Sequence, residues 1–146
     1  MLSSDQKGAI AESAIVHAAV LLGIGVLKPL REGVRYDLAF DLGTRLLRVQ
    51  CKWARRRGDV VAVRCCSTRR GRDAFLRRSY TSAEVDAVAA YCPDTERCYL
   101  LPVDLVDGRA ELSLRLGATQ NGQKLRVRWA DDFEFTRLDW ERISGP

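Results

Sequence analysis

The sequence predicts an α/β fold: a mixed central sheet flanked by helices. Three observations carry that expectation. Residues 5–22 place apolar side chains at helical spacing. Residues 36–52 alternate apolar and polar side chains with a period of two, interrupted by a glycine-led turn. Residues 88–103 hold two further short apolar runs around Pro93-Asp94. The 146 residues suit one domain over residues 1–146, with enough chain for a single core.

Taken in order, the helix over 5–22 has Ser4 as its cap. Ile10, Ala14, Val16, Ala18, Leu21 and Leu22 supply its apolar side, and Gly23 and Gly25 end it. Residues 26–30 read as a short strand or extended link that Pro29 restricts to a sheet edge. Tyr36, Leu38, Phe40 and Leu42 alternate with Asp37, Ala39 and Asp41. Past Gly43-Thr44, Leu47, Val49 and Cys51 alternate with Arg48, Gln50 and Lys52. Glycine in the first loop position favours a two-residue hairpin turn. Residues 60–66 read as a third strand, reached through the basic loop Arg55-Arg56-Arg57-Gly58, and residues 68–79 as an arginine-rich loop. Residues 81–86 form a short turn with Ser82 as its cap. Strands follow over 88–92 and 97–103, the latter ended by Pro102, so the sheet runs mainly as a meander. Residues 112–116 and 125–129 flank Asn121-Gly122, a hairpin signal that would present Arg126 and Arg128.

Composition excludes several classes. No apolar run is long enough to span a bilayer, and residues 1–8 lack the plan of a secretory leader, so a cytoplasmic protein without a membrane partner is expected. A single histidine, His17, cannot build a site that needs two. The five cysteines at 51, 65, 66, 92 and 98 include no Cys-x-x-Cys pair, so they read as reduced core residues rather than zinc ligands. Charge is more informative. The net charge is +5, yet residues 45–78 contain twelve Lys or Arg against two Asp, and the rest of the chain sums to −5. Arginine dominates the cluster. Its fork binds phosphates and guanine edges, so Arg55, Arg56, Arg57, Arg69, Arg70, Arg72, Arg77 and Arg78 are expected to contact nucleic acid, which the resemblance given below narrows to double-stranded DNA.

The hairpin carries the candidate chemistry. With Gly43-Thr44 as loop residues, Leu38 pairs with Val49, Phe40 with Leu47, and Asp37 faces Gln50 with Lys52 diagonal to it. A carboxylate, an amide oxygen and an ammonium converge. Magnesium takes oxygen ligands. Asp37 and Gln50 each offer one, the backbone carbonyl of Cys51 offers a third, and Lys52 suits polarising an attacking water. A solvated strand face is the bland alternative. Asp41 is the rival acid, but it falls near the turn, opposite Leu46.

Tyr36-Asp37-Leu38, the hairpin and Val49-Gln50-Cys51-Lys52 together resemble the core of the PD-(D/E)xK nuclease superfamily. With Gln in place of the second acid, the pattern is similar to bacterial group I intron-associated homing endonucleases. Tyr80–Asp86 and Tyr99–Pro102 continue it. The resemblance implies a restriction-endonuclease-like fold and hydrolysis of duplex DNA with Mg2+. It adds Glu12, on the preceding helix, to Asp37, Gln50 and Lys52 as a catalytic and metal-binding residue. Cutting both strands with one site per chain implies a homo-oligomer, a dimer or tetramer. Trp129, Phe133, Phe135 and Trp140 in the acidic tail are candidates for its interface, unless they pack back on the sheet. Two other readings stay open: a DNA-binding protein with a weak or inactive site, and a junction-resolving or repair nuclease of the same fold.

Overall fold

The computed structural model describes residues 1–70, 75–117 and 127–144. Helix α1, Ser4–Leu21, starts one residue earlier than its sequence expectation. Ser3 is the cap: its Oγ accepts from the Gln6 N–H at 3.2 Å, and Gln6 Oε1 accepts from the Ser3 N–H at 2.8 Å. This reciprocal box satisfies two otherwise orphaned donors and contributes about 1 kcal/mol. The buried stripe is Ala11, Ile15 and Ala19, one position off the expected face, while Ile10, Leu21 and Leu22 are exposed. Small residues in that stripe let the helix lie close against the sheet.

The strands that follow are β1 (Gly25–Leu27), β2 (Leu38–Asp41), β3 (Leu46–Trp53), β4 (Arg55–Arg57), β5 (Val60–Arg64), β6 (Cys66–Arg70), β7 (Phe75–Ser79), β8 (Ala87–Cys92) and β9 (Arg97–Pro102). After the short helix α2 (Val103–Val106) comes β10 (Glu111–Arg115). Two 3-10 turns, Ala130–Asp132 and Phe135–Arg137, lead to α3 (Trp140–Ser144). The central sheet has the order β1-β2-β3-β8-β9, a second sheet the order β10-β5-β4, and β6-β7 form a ribbon.

The central sheet is not a meander. β3 and β8 are parallel neighbours, with Gln50 opposite Val88 and Lys52 opposite Ala90. Parallel neighbours require a long crossover, and β4 to β7 occupy it. The basic stretch expected as a loop is therefore structured. Arg55, Arg56 and Arg57 form β4, paired with Ala62, Val61 and Val60. Gly58 turns that hairpin at φ +58°. The expected strand over 60–66 breaks at Cys65, and the expected loop over 68–79 contributes β6 and β7, in register from Cys66↔Ser79 to Arg70↔Phe75. Arg72 and the Asn121-Gly122 turn with Arg126 lie outside the described residues.

Two cores result. Ile15, Ala19, Leu38, Phe40, Leu47, Val49, Leu100 and Phe135 pack between the sheet and α1. Val61, Val63, Tyr80, Val88, Ala90, Tyr99, Leu101 and Leu114 pack between the two sheets. The 3-10 turns fold part of the tail back on the sheet, which is the alternative expected for its aromatics. Phe135 is 1% exposed, with its ring edge-on to Phe40 at 6.1 Å and to Trp140 at 5.3 Å. Trp129 and Phe133 are half-buried. Cys65, Cys66, Cys92 and Cys98 are buried and free, as a set of core thiols should be. Burial pushes Cys65 up to about 11 and Cys98 up to about 12.

Candidate active site

The hairpin has the expected register, Leu38↔Val49 and Phe40↔Leu47. Gly43 takes φ +89°, which a side chain would resist, and Asp41 Oδ1 accepts from the Gly43 N–H at 2.9 Å. Asp41 thus secures the turn and stays away from Gln50.

Alternation breaks at Asp37. Leu38 joins the α1 core, but Tyr36 packs against the other one, although residues two apart on a regular strand share a face. The Asp37 N–H donates to the Val49 carbonyl at 2.9 Å, and the ladder ends at Leu38. Beyond that end the Asp37 side chain replaces the missing main chain: Oδ2 accepts from the Cys51 N–H at 2.8 Å. A strand residue turns its N–H and carbonyl to the same edge, so the Cys51 carbonyl faces the Asp37 side.

Gln50 Oε1 is buried and has no hydrogen-bond partner among the described residues. An amide oxygen left so costs about 1–3 kcal/mol. Lys52 Nζ donates to the Cys66 carbonyl at 3.3 Å and lies 5.0 Å from the centre of the Tyr80 ring. Glu12 comes from α1, and its Oε1 pairs with Lys28 Nζ at 2.6 Å. Glu12, Lys28, Tyr36 and Asp37 line one cleft of about 280 Å³.

Electrostatics set Asp37 apart. Burial raises its pKa above the ordinary carboxylate value. The Cys51 N–H opposes this, the Glu12 charge adds to it, and Lys52 and Lys28 pull it back. The Cys51 thiol is pushed up by burial and then by Asp37 and Glu12, so its sulfur stays protonated and only its carbonyl remains as a donor. Among the described residues no three His, Cys, Asp or Glu side chains group as metal ligands. A cation here depends on amide and main-chain oxygens beside Asp37. The donors fit one: an orphaned buried amide oxygen, a carboxylate short of compensation, and no thiolate or imidazole. That set suits a hard divalent ion.

Asp86 belongs to a different structure. Its Oδ2 accepts from the Arg48 N–H at 2.7 Å and Nε at 3.1 Å, and Arg48 also reaches the carbonyls of Ser82 and Ala83. Asp86 braces the approach to β8. Its pKa is lowered by the Arg48 bonds, which overcome burial. The adjoining turn is secured by the Thr81 carbonyl, which accepts from Glu84 and Val85, and not by Ser82.

The expected DNA contacts divide. Arg57 is paired with Glu111 at 3.1 Å and Arg56 with Asp59 at 3.7 Å. Arg55 lines a cleft of about 470 Å³ with Lys7, Lys52, Trp53 and Arg64. Arg69, Arg70, Arg77 and Arg78 lie on the β6-β7 ribbon. Lys7, Lys28 and Arg64 come to the site without a local signal in the sequence, since tertiary packing alone places them there. His17 is exposed on α1.

No helix among the described residues is long and apolar enough to cross a membrane. No curated protein matches the chain. The structure of a bacterial homing endonuclease is similar, with a TM-score of 0.76 and 31% identity over 98% of this chain and 94% of that one. Residues 2–136 match the family model described as PD-(D/E)XK endonuclease. The match to the family model spans most of the chain and the fold agrees with it, and the chain belongs to the PD-(D/E)XK endonuclease family.

Proposed function

We propose that this nuclease is a magnesium-dependent, sequence-specific endonuclease of duplex DNA, of the homing type, working as a homo-oligomer. One observation carries the metal part: the buried Gln50 Oε1 has no partner among the described residues, on the strand that bonds an under-compensated Asp37. Asp37, Gln50 and the Cys51 carbonyl would hold Mg2+, with Glu12 joining once it leaves Lys28. The bound ion supplies Lewis-acid stabilisation of charge growing on the phosphate. Asp37 keeps its carboxylate aimed by accepting from Cys51. Gln50 contributes an oxygen without charge, which limits repulsion of the incoming phosphate. Lys52 has three N–H donors and gives one to Cys66. The others suit orienting a water against phosphorus and steadying the leaving oxygen. The cleft of Lys7, Arg55 and Arg64 leads the DNA backbone to that ammonium. Arg69, Arg70, Arg77 and Arg78 sit on a two-stranded ribbon, an element that a major groove admits. The similarity to a homing endonuclease supports the homing reading. One site per chain supports assembly, since two strands need two sites.

A weak or inactive DNA-binding protein is the second reading. It is favoured by the Glu12–Lys28 pair, which occupies one expected ligand. Incubation with Mg2+ and plasmid carrying an intronless target locus, beside random plasmid and chelator controls, separates the two. Target-selective, metal-dependent breaks are expected. Lys52→Ala should lower the cleavage rate by at least about a hundredfold with DNA affinity little changed. Binding without any cleavage by the wild type would establish the second reading.

A further inference from the structure

Lys52 is a flexible four-carbon stem whose head must sit at one place. Its bond to the Cys66 carbonyl, at 3.3 Å, is long for a charged donor. What else holds it is an aromatic face. Nζ lies 5.0 Å from the centre of the Tyr80 ring, and Tyr80 is 1% exposed. The same ring carries a second cation, the Arg35 guanidinium at 4.4 Å. Arg35 Nε lies 3.2 Å from Glu84 Oε2, and Glu84 Oε1 accepts from Thr81 Oγ1 at 3.3 Å. The chain of contacts therefore runs from the turn after β7, through one ring, to both walls of the site. Lys52 stands on β3, and Arg35 stands two residues before Asp37.

We infer that Tyr80 is a positioning residue of the active site: its ring holds the Lys52 ammonium beside the Asp37–Gln50 patch and, through Arg35, anchors the segment that presents Asp37. The inference rests on Lys52 being the catalytic lysine. The choice of a ring follows from what the ammonium must do. A carboxylate partner would consume N–H donors and cancel the charge. A π face attracts the cation while leaving those donors available. The Lys52 charge is felt at Asp37, so the position of the ammonium matters to the metal patch. Glu84 offsets the charge of Arg35, which lets two cations share one ring.

The test uses the full chain and three variants: Tyr80→Leu, Tyr80→Phe and Lys52→Ala. Leucine keeps apolar bulk without a π face, and phenylalanine keeps the face. Three quantities are read: the single-turnover rate on a plasmid that the wild type cleaves, the Kd for the same DNA without metal, and the NMR shifts of the Lys52 Hε protons. Tyr80→Leu should slow cleavage about tenfold with Kd unchanged. Tyr80→Phe should match the wild type. The Hε protons should be shifted upfield by ring current in the wild type and Tyr80→Phe, and return to ordinary values in Tyr80→Leu. A wild-type rate in Tyr80→Leu while Lys52→Ala is inactive overturns the role of Tyr80 alone. An active Lys52→Ala overturns the reading of Lys52 instead. Should Tyr80→Leu not fold, ordinary Hε shifts in the wild type, or a slow Tyr80→Phe, would each refute the inference.

Discussion

Two aspartates hold the same strand by the same device and come out opposite. Asp37 accepts the Cys51 N–H at 2.8 Å, and Asp86 accepts the Arg48 N–H at 2.7 Å. Both carboxylates patch β3 where a neighbouring strand does not reach. Asp86 then receives the guanidinium of Arg48, with Arg45 at 3.8 Å, and its pKa falls. Asp37 receives burial and a second carboxylate, Glu12, and its pKa rises. The first is a finished ion pair. The second is a half-buried acid short of positive charge, bonded to the strand on which the Gln50 amide oxygen has no partner among the described residues. The difference teaches that the device itself is structural, and that the missing countercharge is what marks a site.

The largest effect is expected at Asp37. Asp37→Asn should abolish cleavage, by at least about a hundredfold. It should also remove any rise in melting temperature on adding Mg2+. Without metal, its melting temperature at neutral pH should not fall by more than about 2 °C. The amide still accepts from Cys51 and spares the fold a partly desolvated charge, whose cost appears as pH rises through the raised value. A clear loss of stability without metal would make Asp37 a brace like Asp86.

Asp86→Asn should do the reverse. It should cost about 1–3 kcal/mol at neutral pH and leave cleavage near wild type at a temperature where the variant is folded. Because the folded-state pKa is lowered, the stabilisation is present above the ordinary value, about 4, and is lost as pH falls below it. Urea melts at neutral pH and near pH 3 should show the gap between variant and wild type closing in acid.

Gln50→Glu should tighten Mg2+ or Mn2+ binding several-fold by calorimetry, since it supplies the missing charge, while slowing cleavage by repelling phosphate. Weaker binding would take Gln50 out of the ligand set. The smallest effect is expected at Lys28. Lys28→Gln releases Glu12 and should lower the Mg2+ concentration needed for half-maximal cleavage by a few-fold, and an unchanged requirement would leave Glu12 outside the site.

Much of the hairpin was legible because a period of two and a glycine-led turn set its register locally. The phase break at Asp37 was not, because it depends on where the β2 ladder stops. Ser3 and Gln6 form a capping box that is plain in the sequence, one residue before the expected cap. Arg55-Arg56-Arg57 has no strand signature, and only its pairing with β5 makes it one. The β8 segment, Ala87–Cys92, is apolar on both faces, which fits a central strand but says nothing of its partner. Lys28 reaches the site through packing alone, and the tyrosine-led segment marks Tyr80 in the sequence without showing that its ring meets Lys52.

The parallel pairing of β3 with β8 has a kinetic side. Lys52 and the ring that holds it are separated by most of the basic cluster, yet they meet across the crossover. Closing that long excursion must precede any reward from the contacts it brings together, which makes such assembly slow compared with a hairpin. Its arginines repel one another while it closes. Salt screens that repulsion over roughly 10 Å at 0.1 M, so the same counterions that weaken a grip on DNA are expected to hasten the folding of the proposed site.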